Sequence, residues 1–441
     1  RANLAACLFD TGDVAGALAH WRAVPDDRQA GANALYAMNF VPGLDRARMS
    51  AAAREWAALH ARPAAVPRFA NDRDQDRRLR VGFVSPDLRS HSVAWFLLPV
   101  LEAFDPAEIE AHAFSELAVE DAISARLRPN FASWHATVGR DTDALVAAIR
   151  AARIDVLVDL AGHTAGSRLD AFACAAAPVQ VSWLGYPEIT GVPAIAARLT
   201  DADIDAAPAP DDAGPERPLR LPRGAHAYRL PDGAPDVTPR GDGPPVFGSF
   251  NNWPKHAPDC LAAWARILAR VPGSRLVLKN KAMADAAVRA QAVDFFAGHG
   301  IAAERIETLA RVPDPRGHLA LYGLIDVALD PFPYNGVTTT FEALAMGVPV
   351  VALRGATPAG RTAAAFVTRI GCPELAADGI DAYIDAAVAL AGDRARLTSY
   401  RTTLRARLAA SPLGNGAAIA ADIAHALREL WRAWIRENTA G

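Results

Sequence analysis

The spacing of apolar positions changes along the chain, and the changes divide it. Over residues 1–70 the apolar positions recur at helical spacing. Leu4, Cys7 and Leu8 form one stripe, Thr11-Gly12-Asp13 a turn, and Ala15, Ala17, Leu18 and Trp21 a second stripe. This pattern predicts one helical hairpin of tetratricopeptide type. A single hairpin cannot bury its own faces, and Arg1 stands in mid-helix register, so the array is expected to continue upstream. The alternative is an ordinary helical cap on the next domain. Residues 63–78, first proline-bearing and then densely charged, read as a linker.

From residue 79 short apolar runs replace the stripes. Strands are predicted at 79–85, 109–114, 154–160 and 179–183, with a helix at 141–152. The run IDVLVDL at 154–160 suits a buried parallel strand. Residues 205–245, rich in Pro, Gly and Asp, break the pattern and read as an interdomain connection. The alternation then restarts, with strands at 246–250, 275–279, 305–309, 327–329 and 348–353. Helices at about 380–411 and 414–437 close the chain. Alternating strands and helices imply right-handed crossovers and parallel sheets. The expected fold class is therefore α/β: two doubly wound Rossmann-like domains facing a cleft, preceded by an α-helical, tetratricopeptide-like segment. The expected divisions are 1–70 helical, 79–235 and 240–412 as the two domains, and 413–441 as a C-terminal helix.

Composition narrows the function. The 441 residues are 51% hydrophobic and 22% charged, which fits burial rather than disorder. A net charge of -3 and a pI near 6.4 offer no footprint for nucleic acid or an anionic membrane. No apolar run approaches the roughly 20 residues that span a bilayer. Cys7, Cys174, Cys260 and Cys372 are scattered without a C-x-x-C pair, against both a disulfide framework and a zinc site. The expectation is a cytoplasmic protein without nucleic-acid or membrane partners. Of 46 basic residues only Lys255, Lys279 and Lys281 are lysines. In a chain that otherwise uses arginine, a lysine marks a place where guanidinium would not serve.

Ligands of open parallel sheets bind beyond the carboxyl ends of the strands. The loops there carry neither G-x-G-x-x-G nor G-x-x-x-x-G-K-[ST], against a dehydrogenase and a P-loop NTPase. The segment DPFPYNGVTTTFE at 330–342 instead ends a strand, turns through Gly336 and opens a helix with Thr338, Thr339 and Thr340. Free N–H groups and hydroxyls at such a start suit a diphosphate. Glu342, one turn in, can accept from ribose hydroxyls. Threonines that only cap their own helix are the competing reading. In FNNWPK at 250–255, Lys255 can place a compact charge on a departing phosphate, and Asn252 can read a base or phosphate edge.

In the first block VSPDLRSH puts His91 in the loop after the opening strand. There it can orient an acceptor hydroxyl, act as a base near neutral pH, or simply be solvated. DLAGHT with His163 and WLGYP with Tyr186 follow two further strands and are expected to converge on the same sheet edge. The aromatic segment also reads as a packed corner. Asp201 and Asp203 fit the D-x-D pattern of some metal-holding transferases, but read as a solvated loop. No metal is predicted.

The segments VGFVSPDLRSH, DLAGHT, PVQVSWLGYP, FGSFNNWPK and DPFPYNGVTTTFEALAMGVPVV, in this order, resemble the bacterial O-linked N-acetylglucosamine transferase (SPINDLY-type) family, glycosyltransferase family 41. The likeness runs from about residue 33 to the C-terminus. It implies a glycosyltransferase-B architecture. It also implies inverting, metal-independent transfer from a uridine-diphosphate sugar, UDP-GlcNAc, to Ser or Thr of a protein or peptide acceptor, without a cofactor. By motif position it implies that His91 faces sugar and acceptor, and that Lys255 stabilises the leaving diphosphate. Asn252 and His318 match residues near the nucleotide, Thr338 and Thr339 the phosphate-binding threonines, and Glu342 the ribose-binding acid. Arg361, in GATPAGR, matches a loop arginine and joins His163 and Tyr186 as an acceptor- or sugar-side candidate. Val337 replaces a His or Gly of relatives, Trp95 a second histidine of animal members, and Leu321 a basic residue near the nucleotide. The other readings are transfer of fucose from GDP-fucose, transfer of hexose to Asn, a nucleotide-sugar 2-epimerase, and a repeat scaffold whose catalytic region has decayed.

Overall fold

In the computed structural model, residues 1–61, 67–208, 215–239 and 243–439 are described. The first block is a seven-stranded sheet of β1 (Leu79–Ser85), β2 (Ile109–Ser115), β3 (Ser133–Ala136), β4 (Val156–Asp159), β5 (Val179–Ser182), β6 (Ala197–Thr200) and β7 (Arg217–Arg220), in the order β3-β2-β1-β4-β5-β6-β7. The second has six strands: β8 (Val246–Ser249), β9 (Arg275–Lys279), β10 (Ile306–Leu309), β11 (Val327–Leu329), β12 (Val350–Leu353) and β13 (Ala376–Ala377). Their order is β10-β9-β8-β11-β12-β13. The pairings among the described residues are parallel. In each sheet the strand order reverses beside the first strand, at β1/β4 and at β8/β11. Such a reversal leaves a crevice beyond the carboxyl ends, where a ligand finds backbone ends from two directions.

Apolar runs on both faces explain the central strands. Six of the seven β1 residues are buried, and β4 and β5 are buried throughout. The helix Ser92–Leu101 (SVAWFLLPVL) covers the first sheet and is buried along most of its length. The last helix, Gly416–Thr439, returns to this same core through Ile419, Ile423, Leu427 and Trp431. A Cβ on Gly416 would lie 2.8 Å from the Pro99 carbonyl oxygen, so the two helices meet there backbone to backbone.

The region read as an interdomain connection contains a strand, β7, which pairs with β6 at the sheet's edge. Its sequence RPLR escapes a hydrophobic-pattern reading because an edge strand tolerates both charge and the missing N–H of Pro218. The segment predicted as one helix over 380–411 is two, Ile380–Gly392 and Arg394–Ala410. Asp393 breaks it and caps the second by accepting the Arg396 N–H at 2.9 Å.

Two compact units result. One holds the seven-stranded sheet and comprises Pro25–Tyr36, Asp45–Arg229 and Pro412–Gly441. The other holds the six-stranded sheet and comprises Arg1–Val24, Ala37–Leu44 and Leu230–Ser411. The hairpin expected near the start forms from Ala2–Asp10 and Val14–Arg22 and belongs to the six-stranded unit, while Arg46–His60 belongs to the other. Gly12 takes φ +95° in the hairpin turn, a conformation that favours glycine, and Asp13 caps the second helix through the Gly16 N–H. Part of the predicted 63–78 linker lies outside the described residues. From Asn71 on, this segment is tied to the seven-stranded unit, with Asn71 and Arg77 both donating to the Asp155 carboxylate at 2.7 Å.

Candidate active site

β8 and β11 are neighbours, so the loops that follow them run side by side. After β8 the chain passes Asn251 and the exposed Asn252 into a single turn, Trp253–Lys255. After β11 it passes Asp330, Tyr334, Asn335 and Gly336 into the helix Thr338–Ala345. The Lys255 Nζ crosses from one loop to the other. It donates to the Asn335 carbonyl at 2.6 Å and stands 4.1 Å from the centroid of the Tyr334 ring. Burial pulls its pKa down to about 8, against the opposing pull of Asp330. Asp330 is buried, accepts the Gly336 N–H on Oδ1 at 2.8 Å, and has its own pKa raised to about 8 by burial. Gly336 is required sterically: a Cβ would lie 2.5 Å from Thr339 Oγ1, 2.7 Å from Asp330 Oδ1 and 3.0 Å from Asn251 Oδ1.

The three threonines divide their work. Thr339 Oγ1 donates to Asn251 Oδ1 and Thr340 Oγ1 to the Gly336 carbonyl, each at 3.0 Å. The Thr338 hydroxyl makes no hydrogen bond among the described residues. Val337 occupies the N-cap position, where it supplies no side-chain acceptor. The helix start therefore presents a hydroxyl and its positive dipole end, groups of the kind that suit an anion.

One turn on, Glu342 joins a second cluster. Its Oε2 accepts from the Tyr322 hydroxyl at 3.0 Å and pairs with His318 Nε2 at 2.9 Å. His318 Nδ1 is hydrogen-bonded to Lys279 Nζ. An ammonium has only donors, so Nδ1 accepts and the imidazole proton sits on Nε2, facing the carboxylate. Lys279 is buried against the ring of Phe250, 5.2 Å to the centroid, and burial pulls its pKa down to about 8. Arg361 lies in the loop after β12. That loop is bonded to the Pro-Tyr-Asn-Gly turn by the Asn335 N–H to the Ala359 carbonyl at 3.0 Å.

In the other unit the candidates separate. His91 caps the helix Ser92–Leu101, with Nδ1 accepting the Val93 N–H at 3.3 Å and lying 3.6 Å from Asp87 Oδ1. Its side chain is 40% exposed. Burial lowers the His91 pKa and raises that of Asp87. His163, by contrast, is 0% exposed. It is held edge-on between Trp56 at 4.5 Å and Tyr186 at 5.2 Å, with Nε2 bonded to the Thr190 carbonyl at 2.8 Å. Desolvation lowers its pKa to about 4, so it is neutral. Tyr186 is buried with it, its hydroxyl donating to the Leu35 carbonyl at 3.4 Å. The neighbouring parallel strands β1, β4 and β5 bring these loops to one sheet edge as expected, and the helix Arg46–His60 packs over His163 there through Trp56. The solvated D-x-D loop is corrected. Asp201 is buried and accepts the Asp203 and Ile204 N–H groups, while Asp205 is buried against Arg46 at 2.6 Å and Arg198 at 2.7 Å.

Sequence reasoning assigned no role to Asn251, Lys279, Tyr322, Asp330 or Tyr334. Lys279 carried the same signal as Lys255, the scarcity of lysine, and Asp330 stood at a strand end beside a reversal point.

Two parallel Rossmann-like sheets preceded by N-terminal helices are the B architecture found among glycosyltransferases. The particular family follows from comparison. Residues 51–209 and 226–423 match the model of glycosyl transferase family 41, and the chain belongs to that family. It is 35% identical over 423 residues to the probable UDP-N-acetylglucosamine--peptide N-acetylglucosaminyltransferase SPINDLY of Arabidopsis thaliana, covering 93% of this chain and 46% of the relative. The Petunia hybrida protein of the same name is also 35% identical, over 92% and 44%. The chain thus spans about half the length of the curated relatives it matches. Among solved structures, a Thermobaculum terrenum O-GlcNAc transferase mutant superposes with TM-score 0.94 at 35% identity, over 99% of this chain and 84% of that one. Sucrose-phosphate synthase of Thermosynechococcus elongatus shares the fold alone, with TM-score 0.52 at 14% identity over 81% of this chain and 100% of that one. The chain is thus similar to O-GlcNAc transferases in both sequence and fold. Among the described residues no helix is long and apolar enough to cross a membrane.

Proposed function

We propose that the chain transfers N-acetylglucosamine from UDP-GlcNAc to a Ser or Thr hydroxyl of a protein or peptide, with inversion and without a metal. The observation that carries this reading is the position of Lys255, whose ammonium stands on the very loop that feeds the helix start at Thr338. In the transfer the acceptor oxygen bonds to the anomeric carbon and the bond from that carbon to the diphosphate oxygen breaks. The electron pair departs with the diphosphate, and the hydroxyl proton is released to solvent. A preorganised cation and a helix N-terminus oppose the charge as it develops, the task a divalent metal performs in other transferases. Glu342, held by Tyr322 and His318, offers its carboxylate to ribose hydroxyls.

His91 is assigned to orienting rather than to proton abstraction. Its Nδ1 accepts the capping N–H, so the neutral ring carries its proton on Nε2 and donates there. The test is mass spectrometry of a Ser/Thr peptide incubated with the chain and UDP-GlcNAc, with and without EDTA. The reading expects peptide gaining one N-acetylglucosamine in both, and none with Lys255→Ala. Transfer from GDP-fucose instead, transfer only with added metal, or an unimpaired folded Lys255→Ala variant would overturn it.

A further inference from the structure

Lysine is a poor choice for holding charge in one place, because four rotatable bonds separate its ammonium from the backbone. Stabilising a leaving group asks the opposite, since a displacement of about 1 Å can cost about a hundredfold in rate. Something must therefore fix Lys255: its ammonium meets the Asn335 carbonyl at 2.6 Å and the ring of the preceding residue, Tyr334, at 4.1 Å. Resting on the proposed role of Lys255 at the diphosphate, we propose that Tyr334 is the positioning residue for its ammonium, and that the N-terminal helices hold Tyr334 in place through Phe40.

A run of contacts builds this support, all within the six-stranded unit. The Lys255 Nζ lies over the face of the Tyr334 ring, the face to which a cation is attracted. The Tyr334 ring meets Phe40 at 4.8 Å between centroids, with planes 59° apart. Phe40, which follows the helix Arg28–Met38, is buried and meets Phe9 of the first helix edge-on at 5.0 Å. Phe9 in turn meets Trp21 of the second at 5.8 Å. The turn that carries Lys255 rests on the same hairpin. Trp253, two residues before the lysine, donates its Nε1–H to the Thr11 carbonyl at 3.2 Å. A Cβ on Gly12 would sit 2.7 Å from that nitrogen, so the hairpin turn is fitted to the indole. Both the ring beneath the ammonium and the turn above it thus lean on the helical hairpin. The hairpin's role on this account includes the geometry of the leaving-group site.

The presence of only three lysines makes a direct test practical. Reductive methylation with 13C-formaldehyde labels Lys255, Lys279 and Lys281 besides the N-terminal amine, and Lys255→Arg assigns the first by its loss. A methylammonium over an aromatic face is shifted upfield, whereas Lys281, with its side chain 80% exposed, serves as the solvent reference. Phe40→Ala is expected to move the Lys255 resonance toward the Lys281 position and to lower kcat about tenfold. Tyr334→Leu, at a half-buried site, is expected to do the same, and Tyr334→Phe, which keeps the ring face, to restore both shift and rate. An upfield resonance and an unchanged kcat in folded Phe40→Ala or Tyr334→Leu would overturn the proposal. The resonance reports position whether or not sugar is transferred. A wild-type chain with the upfield signal but no transfer would therefore overturn the functional reading and not the positioning.

Discussion

The two sheets share a strand order up to their sixth strand, and each places a buried aspartate at the end of its fourth. Asp159 closes β4 and accepts the Ala161 and Gly162 N–H groups; Asp330 follows β11 and accepts the Gly336 N–H. Burial raises both, to about 6 and about 8. Here the likeness ends. The loop after Asp159 delivers His163 into an aromatic sandwich beneath a helix, where it is neutral and sealed. The loop after Asp330 delivers Tyr334 and Asn335 to Lys255 and a helix start with a spare hydroxyl. Topology offers the same crevice twice, and the element packed over each loop decides whether its side chains are sealed in the core.

The largest effect should come from removing the charge at the second loop. Lys255→Ala is expected to lower kcat by about a hundredfold or more while leaving the melting curve unchanged, as loss of one preorganised electrostatic partner does. Next comes the cradle itself. Gly336→Ala forces three oxygens to yield, a local overpacking of about 1–3 kcal/mol, and should weaken UDP binding by about ten- to a hundredfold in titration.

His91→Ala is a smaller change of a different kind. It should lower the transfer rate by about tenfold and leave UDP affinity intact; equal losses in both would remove the orienting role. The pH profile sharpens the comparison further. Lys255 is cationic below its depressed pKa and neutral above it, so the rate should fall as pH rises through about 8, together with ionisation of the neighbouring Asp330. A limb near the ordinary 10.5 would mean that the ammonium is not desolvated. The least effect on activity belongs to His163→Ala, which should cost about 2 kcal/mol in denaturant unfolding and leave UDP affinity unchanged.

Much of this was legible where residues act locally. The predicted bounds of β1, β9 and β11 coincide with the observed ones, because continuous apolar runs admit little else. β3, β6, β7 and β13 were not visible. SWHA and RPLR lie at or beside an edge, where the pattern relaxes, and ARLT hides a buried Arg198 whose charge is met by Asp205 from outside the strand. At the site, Lys255, the threonines and Glu342 could be read from one motif or from lysine scarcity. The grouping of Lys279, His318, Tyr322 and Glu342 could not, since it exists only once β9, β8 and β11 lie side by side. The difference between His91 and His163, two loop histidines of similar promise, lies in which helix covers them.

On the proposed function, the loops after β8 and β11 hold a uridine nucleotide. Calorimetric titration of the chain with UDP, and separately with GDP, tests it most directly. The account predicts saturable binding of UDP in preference to GDP, weakened by Gly336→Ala. Preference for GDP, or binding of neither by a folded chain, would contradict it.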